Sequence, residues 1–265
     1  MRWNGSTCSS ACSETVATQI DVSEEAGVRY LHFGSDWIQG AMRLQDPTAL
    51  ELQYTREMMA GLLLRDDEWP RTALAIGLGA ASITKFIHHH CPQTRLNVIE
   101  IEPRVVAAAR HFFELPEPDL RLTVEIGDGA EYIQRGERRF DYILVDGYDS
   151  KARSGALDTP AFYSAVKARL SPRGLMAVNL FGSARGFDAS LARICDAFGN
   201  RVLAFPSCDS GNVIVFAAVG EPIELPLTDM RERARVLKAR TGLDLLPTVS
   251  RLEQAGQVPG GTLML

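Results

Sequence analysis

The side chains best able to do chemistry stand where four successive apolar runs end. They are Gly77 and Gly79, then Glu100, then Asp128 and Gly129, and finally Asp146 and Asp149. Glycines between a strand and a helix let backbone amides approach a ligand, and the helix N-terminus behind them carries partial positive charge. A carboxylate about twenty residues further on can accept hydrogen bonds from both hydroxyls of a ribose. The spacing therefore favours a site for a ligand that contains a nucleoside.

Each of these residues also has an ordinary structural interpretation. The glycine turn can be a tight connection without a ligand, since a single GxG after a strand is weak evidence. Glu100 is our choice for the ribose, whereas Glu102, directly before Pro103, is equally well placed as an acid on a helix dipole. Asp128 can accept from an adenine amine or cap the next helix. Spacing alone leaves both interpretations open.

The pair Asp146 and Asp149 predicts another kind of contact. Asp146 ends the apolar run Tyr142–Val145, and a charge at the end of a buried strand is costly unless something pairs with it. Two carboxylates at this place suit a cationic amine. The alternative is a structural ion pair, with Arg153 or Arg185 as the partner.

The elements that must hold these residues alternate between strand and helix from about residue 72. The predicted strands are Ala73–Ile76, Leu96–Ile99, Leu122–Ile126, Tyr142–Val145, Leu175–Asn179, Arg201–Phe205 and Val213–Val219. The predicted helices are Ala81–His89, Glu102–Phe112, Ala130–Gln134, Pro160–Arg169 and Ala189–Ala197. This order predicts an α/β fold with a doubly wound, mostly parallel sheet, which binds its ligand at the carboxyl ends of the strands.

The two ends of the chain lie outside this alternation. The N-terminal region predicts a β-hairpin or small antiparallel sheet with a turn at Gly34-Ser35-Asp36, followed by a helix from Asp46 to near Arg65. The predicted organisation is a disordered N-terminus over 1–19, the hairpin and helix over 20–65, a nucleoside-cofactor-binding α/β domain over 66–222 and a C-terminal helical tail over 223–265.

Composition limits the partners. The 265 residues carry a net charge of -5, which gives no basic surface for nucleic acid. No apolar run approaches the roughly 20 residues of a membrane helix, and the N-terminus lacks the apolar stretch of a secretory signal. We therefore expect a cytoplasmic protein that binds neither nucleic acid nor membrane. Five cysteines are an odd number, which predicts reduced thiols, and Cys8 and Cys12 have no third metal ligand nearby.

Taken together, the four strand ends resemble the nucleotide-binding half of the spermidine synthase (polyamine aminopropyltransferase) family. The matching segments are the glycine turn at Gly77-Leu78-Gly79, the VEID-like segment Val98–Glu102, Gly127-Asp128 and the DxxD segment Asp146–Asp149. Further similarity covers Gln39, Tyr54–Met59 (the YHEMM region), Thr159–Tyr163 and Leu170–Gly174. The resemblance spans roughly residues 25–220. It implies a Rossmann-like fold of the kind found in S-adenosylmethionine-dependent methyltransferases.

The resemblance also implies an activity and a set of contacts. The cofactor would be S-adenosylmethionine, usually in its decarboxylated form, with no metal, and the second substrate a small amine such as putrescine. The implied cofactor contacts are Gly77, Gly79, Glu100 (ribose), Asp128 (adenine) and Gly129. The implied substrate contacts are Gln39, Tyr148 and Asp149, with Asp146 as the catalytic acid that receives or orients the attacking amine. A homodimer is the expected assembly.

Departures from the family's pattern keep other functions open. The family's glycine turn carries an acid that contacts the transferred arm, and here Ala80 takes its place. Thr55 and Arg56 stand where the family has Tyr and His, and an arginine is a mismatch in a site for a polycation. Gly147-Tyr148 also replaces a smaller polar pair. Methyl transfer from intact S-adenosylmethionine, or a non-catalytic relative that binds a nucleoside, are therefore alternatives to aminopropyl transfer. A NAD enzyme is disfavoured because the turn reads GxGxxS.

Overall fold

The chain is described by a computed structural model over residues 19–34, 37–147, 155–182, 186–208 and 211–265. Apart from Gln19, the segment predicted to be disordered lies outside these ranges, as do Cys8 and Cys12. No helix within them is both long and apolar enough to cross a membrane.

An antiparallel sheet of three strands opens the fold. Its strands are β1 (Asp21–Glu25), β2 (Val28–His32) and β3 (Ile38–Arg43), with β2 in the middle. The predicted small antiparallel sheet is confirmed, with one more strand than a hairpin. The long predicted helix is wrong: α1 spans only Gln53–Met58 and is followed by a 3-10 turn over Ala60–Leu63.

A seven-stranded sheet forms the centre of the molecule. Its strands are β4 (Thr72–Ile76), β5 (Arg95–Glu100), β6 (Leu122–Ile126), β7 (Phe140–Val145), β8 (Leu170–Phe181), β9 (Val202–Ala204) and β10 (Asn212–Ala218). The spatial order is β6-β5-β4-β7-β8-β10-β9, and β10 alone runs antiparallel to its neighbours. The predicted α/β fold with a mostly parallel sheet is confirmed. The order reverses between β4 and β7, which is where such sheets bind ligands.

Helices cover both faces of this sheet. They are α2 (Ser82–His90), α3 (Pro103–Phe112), α4 (Gly129–Arg135), α5 (Pro160–Arg169) and α6 (Phe187–Phe198). Alternate residues of each strand enter two separate cores, so that Ala75 and Leu144 face one core and Ile76 and Val145 face the other. Both faces are therefore apolar, as expected for a parallel sheet between helices.

The C-terminal region packs on the first of these cores. It consists of β11 (Glu224–Pro226), α7 (Leu227–Thr241), α8 (Leu246–Gln254) and β12 (Thr262–Met264), and β11 pairs with β12. The predicted tail helices are thus present, and a short two-stranded ribbon closes them. Leu252 and Val249 of α8 and Met230 of α7 are fully buried in the core that also contains Met58 of α1.

Candidate active site

The glycine turn after β4 is shaped by its neighbours. Gly77 has φ +96°, and a Cβ on it would lie 2.2 Å from the carbonyl oxygen of Asp146. The Asp146 amide in turn donates to the backbone oxygen of Ile76 at 2.9 Å. Gly79 has φ +51°, and the backbone oxygen of Gln39 lies 3.3 Å from the position of its missing Cβ. A side chain at residue 77 would therefore push the ends of β4 and β7 apart.

Glu100 at the end of β5 closes the next side of the site. Its side chain is only 7% exposed, and its two oxygens accept from the backbone amides of Leu78 and Glu102, both at 2.9 Å. Burial raises the pKa of Glu100, and these hydrogen bonds act against the rise. Glu102 has a different role, since its Oε1 accepts from the Arg104 amide at the start of α3. The two acids that spacing could not separate are thus distinct.

Asp128 and Gly129 join β6 to α4. The Oδ1 atom of Asp128 accepts from the amides of Ala130 at 2.7 Å and Glu131 at 3.2 Å, so Asp128 caps the helix. It also lines the cavity described below, so the residue that caps the helix also faces the cavity. A Cβ on Gly129 would lie 2.3 Å from Cγ2 of Ile76, so a glycine here lets α4 approach β4 closely.

Asp146 lies among polar side chains that the sequence did not connect with it. Its Oδ1 accepts from Nδ2 of Asn179 at 2.9 Å, and a hydrogen bond from the Tyr54 side chain also reaches it. Asn179 itself accepts from Nδ2 of Asn212 at 2.8 Å. Burial raises the pKa of Asp146, and the hydrogen bonds from Asn179 and Tyr54 oppose that rise.

These strand ends enclose one cavity of about 340 Å³. Gln39, the glycine turn, Glu100, Asp128 and Asp146 all line it, so the structure brings together the predicted residues that it describes. Among the described lining residues, the side chains of Glu100, Asp128 and Asp146 are acidic, and none is Lys, Arg or His. The cavity is thus acidic at three strand ends and suits a cationic ligand.

Comparison with known proteins identifies the family. The family model for the spermine/spermidine synthase domain matches residues 52–180. A polyamine aminopropyltransferase of Chromobacterium violaceum is 37% identical over 247 residues, which cover 93% of this chain and 94% of that protein. The chain belongs to the spermine/spermidine synthase family. The predicted resemblance is therefore confirmed, and aminopropyl transfer is the activity that the relative's name states.

Solved structures agree on the fold. A probable spermidine synthase from Corynebacterium glutamicum is similar with a TM-score of 0.69 at 19% identity, over 83% of each chain. Human methyltransferase-like protein 13, solved in complex with SAH, is similar with a TM-score of 0.64 at 26% identity, over 72% of this chain and 93% of that one. The fold is therefore common to a spermidine synthase and to a protein named for methyl transfer.

The expected mismatch at Arg56 does not occur in this member of the spermidine synthase family. The Arg56 guanidinium donates to the backbone oxygens of Leu50, at 2.8 Å, and Glu51, and Arg56 does not line the cavity. Tyr54 and Thr55 of the same helix do line it. The prediction that Arg56 places a cation in the amine site is therefore wrong, because the helix turns that side chain toward its own preceding loop.

Ala80, which the sequence resemblance places at the position of the family's acid, is part of a tight contact. It is 2% exposed and lines the cavity. A Cβ on Gly40 of β3 would lie 2.6 Å from the Cβ of Ala80, so the small antiparallel sheet packs directly on the glycine turn. Other predicted residues, Tyr148 and Asp149, lie outside the described residues, as do the predicted partners Arg153 and Arg185.

Proposed function

We propose that this protein transfers the aminopropyl group of decarboxylated S-adenosylmethionine to a small amine such as putrescine. The observation that carries the proposal is the charge of the cavity. Three carboxylates line it, of which Asp146 remains for a cationic group once Glu100 and Asp128 contact the ribose and the adenine, and none of its described lining residues is Lys, Arg or His. Decarboxylated S-adenosylmethionine carries a sulfonium and an ammonium and has no carboxylate, so it complements such a cavity better than the intact form does.

The described residues fit the nucleoside part of this cofactor. The positive φ of Gly77 and Gly79 leaves the backbone of the turn open beside the cavity. Glu100 is held by two backbone amides that fix its orientation, and each of its oxygens has a second lone pair for a ribose hydroxyl. Both capping bonds of Asp128 end on Oδ1, which leaves Oδ2 as the acceptor for the adenine amine.

Asp146 is the proposed catalytic base. The attacking amine is an ammonium in water and must lose a proton before its nitrogen can form the new C–N bond. Asp146 takes that proton, and its partly desolvated carboxylate, with a raised pKa, is a stronger base than an exposed aspartate. The sulfonium supplies the leaving group, because its sulfur keeps the electron pair of the broken C–S bond and departs as methylthioadenosine. Asp149, Tyr148 and Gln39 are proposed to hold the rest of the amine.

Titration calorimetry with S-adenosylmethionine, its decarboxylated form and methylthioadenosine tests the proposal, together with an assay for methylthioadenosine release in the presence of putrescine. We expect the decarboxylated form to bind at least about tenfold more tightly than the intact form, a difference of about 1.4 kcal/mol. Release of methylthioadenosine should require the amine. Equal or tighter binding of the intact cofactor, without amine-dependent release, would contradict the proposal.

Methyl transfer is the second candidate, and Ala80 favours it. Without an acid in the glycine turn, the transferred arm loses one partner for its ammonium, and an intact carboxylate meets less repulsion there. The similarity to human methyltransferase-like protein 13 supports the same candidate at the level of fold and sequence. Formation of a methylated amine together with S-adenosylhomocysteine, on incubation with S-adenosylmethionine, would decide for it. We further propose a homodimer in the cytoplasm, testable by light scattering and cell fractionation.

A further inference from the structure

Behind Asp146 lies a row of two carboxamides. Asn212 Nδ2 donates to Asn179 Oδ1 at 2.8 Å, and Asn179 Nδ2 donates to Asp146 Oδ1 at 2.9 Å. Asn179 is 3% exposed and Asn212 is 5% exposed, and both line the cavity. Two buried amides that point in the same direction toward one carboxylate are an ordered arrangement, because buried polar groups are costly unless they are paired.

The strands explain why the three residues meet. β7 and β8 are parallel with Val145 opposite Val178, so Asp146 and Asn179 follow at adjacent positions. β8 and β10 are antiparallel, with Asn212 opposite Phe181 and Ile214 opposite Asn179. Side chains alternate along a strand, which places Asp146, Asn179 and Asn212 on the same face of the sheet. That face also carries α1, whose Tyr54 reaches Asp146 from the other side.

The order of donors and acceptors gives Asn212 an indirect effect on Asp146. An asparagine amide can rotate by half a turn and exchange its oxygen for its nitrogen. The donor from Asn212 holds the oxygen of Asn179 toward β10, so the nitrogen of Asn179 must face Asp146. A rotated Asn179 would present its oxygen to the carboxylate and repel it. Asn212 therefore selects the rotamer of Asn179 that stabilises the charged form of Asp146.

We propose that Asn212 and Asn179 are positioning residues, a carboxamide relay that holds the Asp146 carboxylate in place and ionised for the attacking amine. The proposal rests on the proposed function of Asp146 as the base. Hydrogen bonds to the charged form of a buried acid lower its pKa and fix its lone pairs. The relay thus allows a partly desolvated carboxylate to remain a base near neutral pH.

Other titratable groups near the site also influence the pKa of Asp146. Tyr54 of α1 is the titratable group that faces Asp146 among the described residues, and Glu100 and Asp128 share the cavity. Glu57, on the same helix as Tyr54, pairs instead with Arg251 of α8. These groups are the same in every variant below, so a difference between variants reports the relay.

The test measures the pKa of Asp146 directly. Protein labelled with ¹³C in its aspartate carboxyl groups is titrated by NMR, and the Asp146 signal is assigned by its absence in the Asp146→Asn variant. We expect Asn179→Leu, which keeps the branched shape of the side chain and removes the donor, to raise the pKa of Asp146. Asn212→Leu, which removes the donor to Asn179, should raise it by less. Asn97→Leu is the matched control, a buried carboxamide on β5 that accepts from Arg138, and should leave the pKa unchanged.

Kinetics on the same variants gives the functional readout. The acidic limb of the kcat/KM profile should move to higher pH in Asn179→Leu and, less far, in Asn212→Leu. At pH 7 we expect kcat/KM of Asn179→Leu to be lower by roughly tenfold or more, and to recover in part as pH rises. Methylthioadenosine affinity should stay within about twofold of the original, which also shows that the variant is folded. A role in packing alone would lower activity equally at every pH.

The two proposals fail in different ways. An unchanged Asp146 signal in both relay variants, with normal methylthioadenosine binding, overturns the relay whatever the activity is. If the signal moves as expected while the unaltered protein transfers neither aminopropyl nor methyl groups, the relay stands as the device that tunes Asp146, and the proposed function fails.

Discussion

Replacing Asp146 with asparagine removes one charge from the site and almost no volume. The carboxamide oxygen of the new side chain can still accept from Nδ2 of Asn179, which reaches Asp146 at 2.9 Å. The Gly77 contact involves the backbone oxygen of residue 146 and is also retained. The glycine turn and Glu100 keep their hydrogen bonds. The variant therefore tests the base and leaves the nucleoside part of the cavity intact.

The size of the effect follows from what is left in the site. General base catalysis contributes about 10²- to 10⁴-fold to a rate, or about 2.7 to 5.4 kcal/mol in the barrier at 1.36 kcal/mol per tenfold. Glu100 is engaged by the amides of Leu78 and Glu102, and Asp128 caps α4. Since neither can move to the position of Asp146, we expect a loss in the upper half of that range.

Stability should change in the opposite direction to activity. Burial raises the pKa of Asp146, so between the ordinary value of 3.8 and the folded-state value the native protein binds a proton that the unfolded chain has lost. Ionised Asp146 therefore lowers the free energy of unfolding as pH rises through that window. The carboxamide in Asp146→Asn carries no charge, so the variant should be at least as stable as the original protein at pH 7, measured by urea unfolding.

The assay pairs initial rates of methylthioadenosine release with calorimetric titration of methylthioadenosine at pH 7. Affinity within about twofold of the original, together with a rate at least roughly 10³-fold lower, is the expected result. A rate within about threefold of the original would refute the catalytic role of Asp146. An equal loss in rate and in methylthioadenosine affinity would show that the residue serves the structure of the cavity instead.

Three further substitutions test the framework around the site. Gly77→Ala brings a Cβ against the Asp146 carbonyl at φ +96°. We expect the free energy of unfolding in urea to fall by at least roughly 1–3 kcal/mol and methylthioadenosine to bind more weakly. Glu57→Gln breaks the buried pair with Arg251 and should reduce the free energy of unfolding by roughly 3–5 kcal/mol. Burial lowers the pKa of Lys85 from 10.5 to about 8, so stability should rise from about pH 8 to about pH 10 as the unfolded chain holds the proton longer. That rise should disappear in Lys85→Met.

The strands of the central sheet could be predicted because their pattern is local. Ala73–Ile76 and Tyr142–Val145 were each placed within two residues of β4 and β7, since short β-branched runs bounded by turns identify buried strands. The helix expected from Asp46 to Arg65 failed for the opposite reason. Its apolar periodicity comes from residues of α1 and of the 3-10 turn that all face one core, including Met58 and Leu63, and a common buried face does not require one continuous helix.

Within the site, the acids at the strand ends could be predicted from the sequence. Which of them face the cavity and which cap a helix could not be settled by spacing. Glu100 and Glu102 are two residues apart on a strand end, so spacing allows either to face the ligand. The structure separates them, since Glu100 accepts from Leu78 across the turn and Glu102 caps α3. Pro103 is the sequence signal that points to this division, because proline in the first turn favours the preceding residue as the cap.

The residues that hydrogen-bond to Asp146 could not be predicted from local spacing in the sequence. Asn179 and Asn212 come from strands that are adjacent only through the antiparallel pairing of β8 with β10, and Tyr54 comes from a helix before the sheet begins. Arg153 and Arg185, the partners considered from sequence, were chosen because a buried acid calls for a cation. In this cavity the described partners are neutral donors, which stabilise the carboxylate without supplying a positive charge that would repel an ammonium substrate. For a base that accepts a proton from a cation, amides and a phenol are therefore more suitable partners than an arginine.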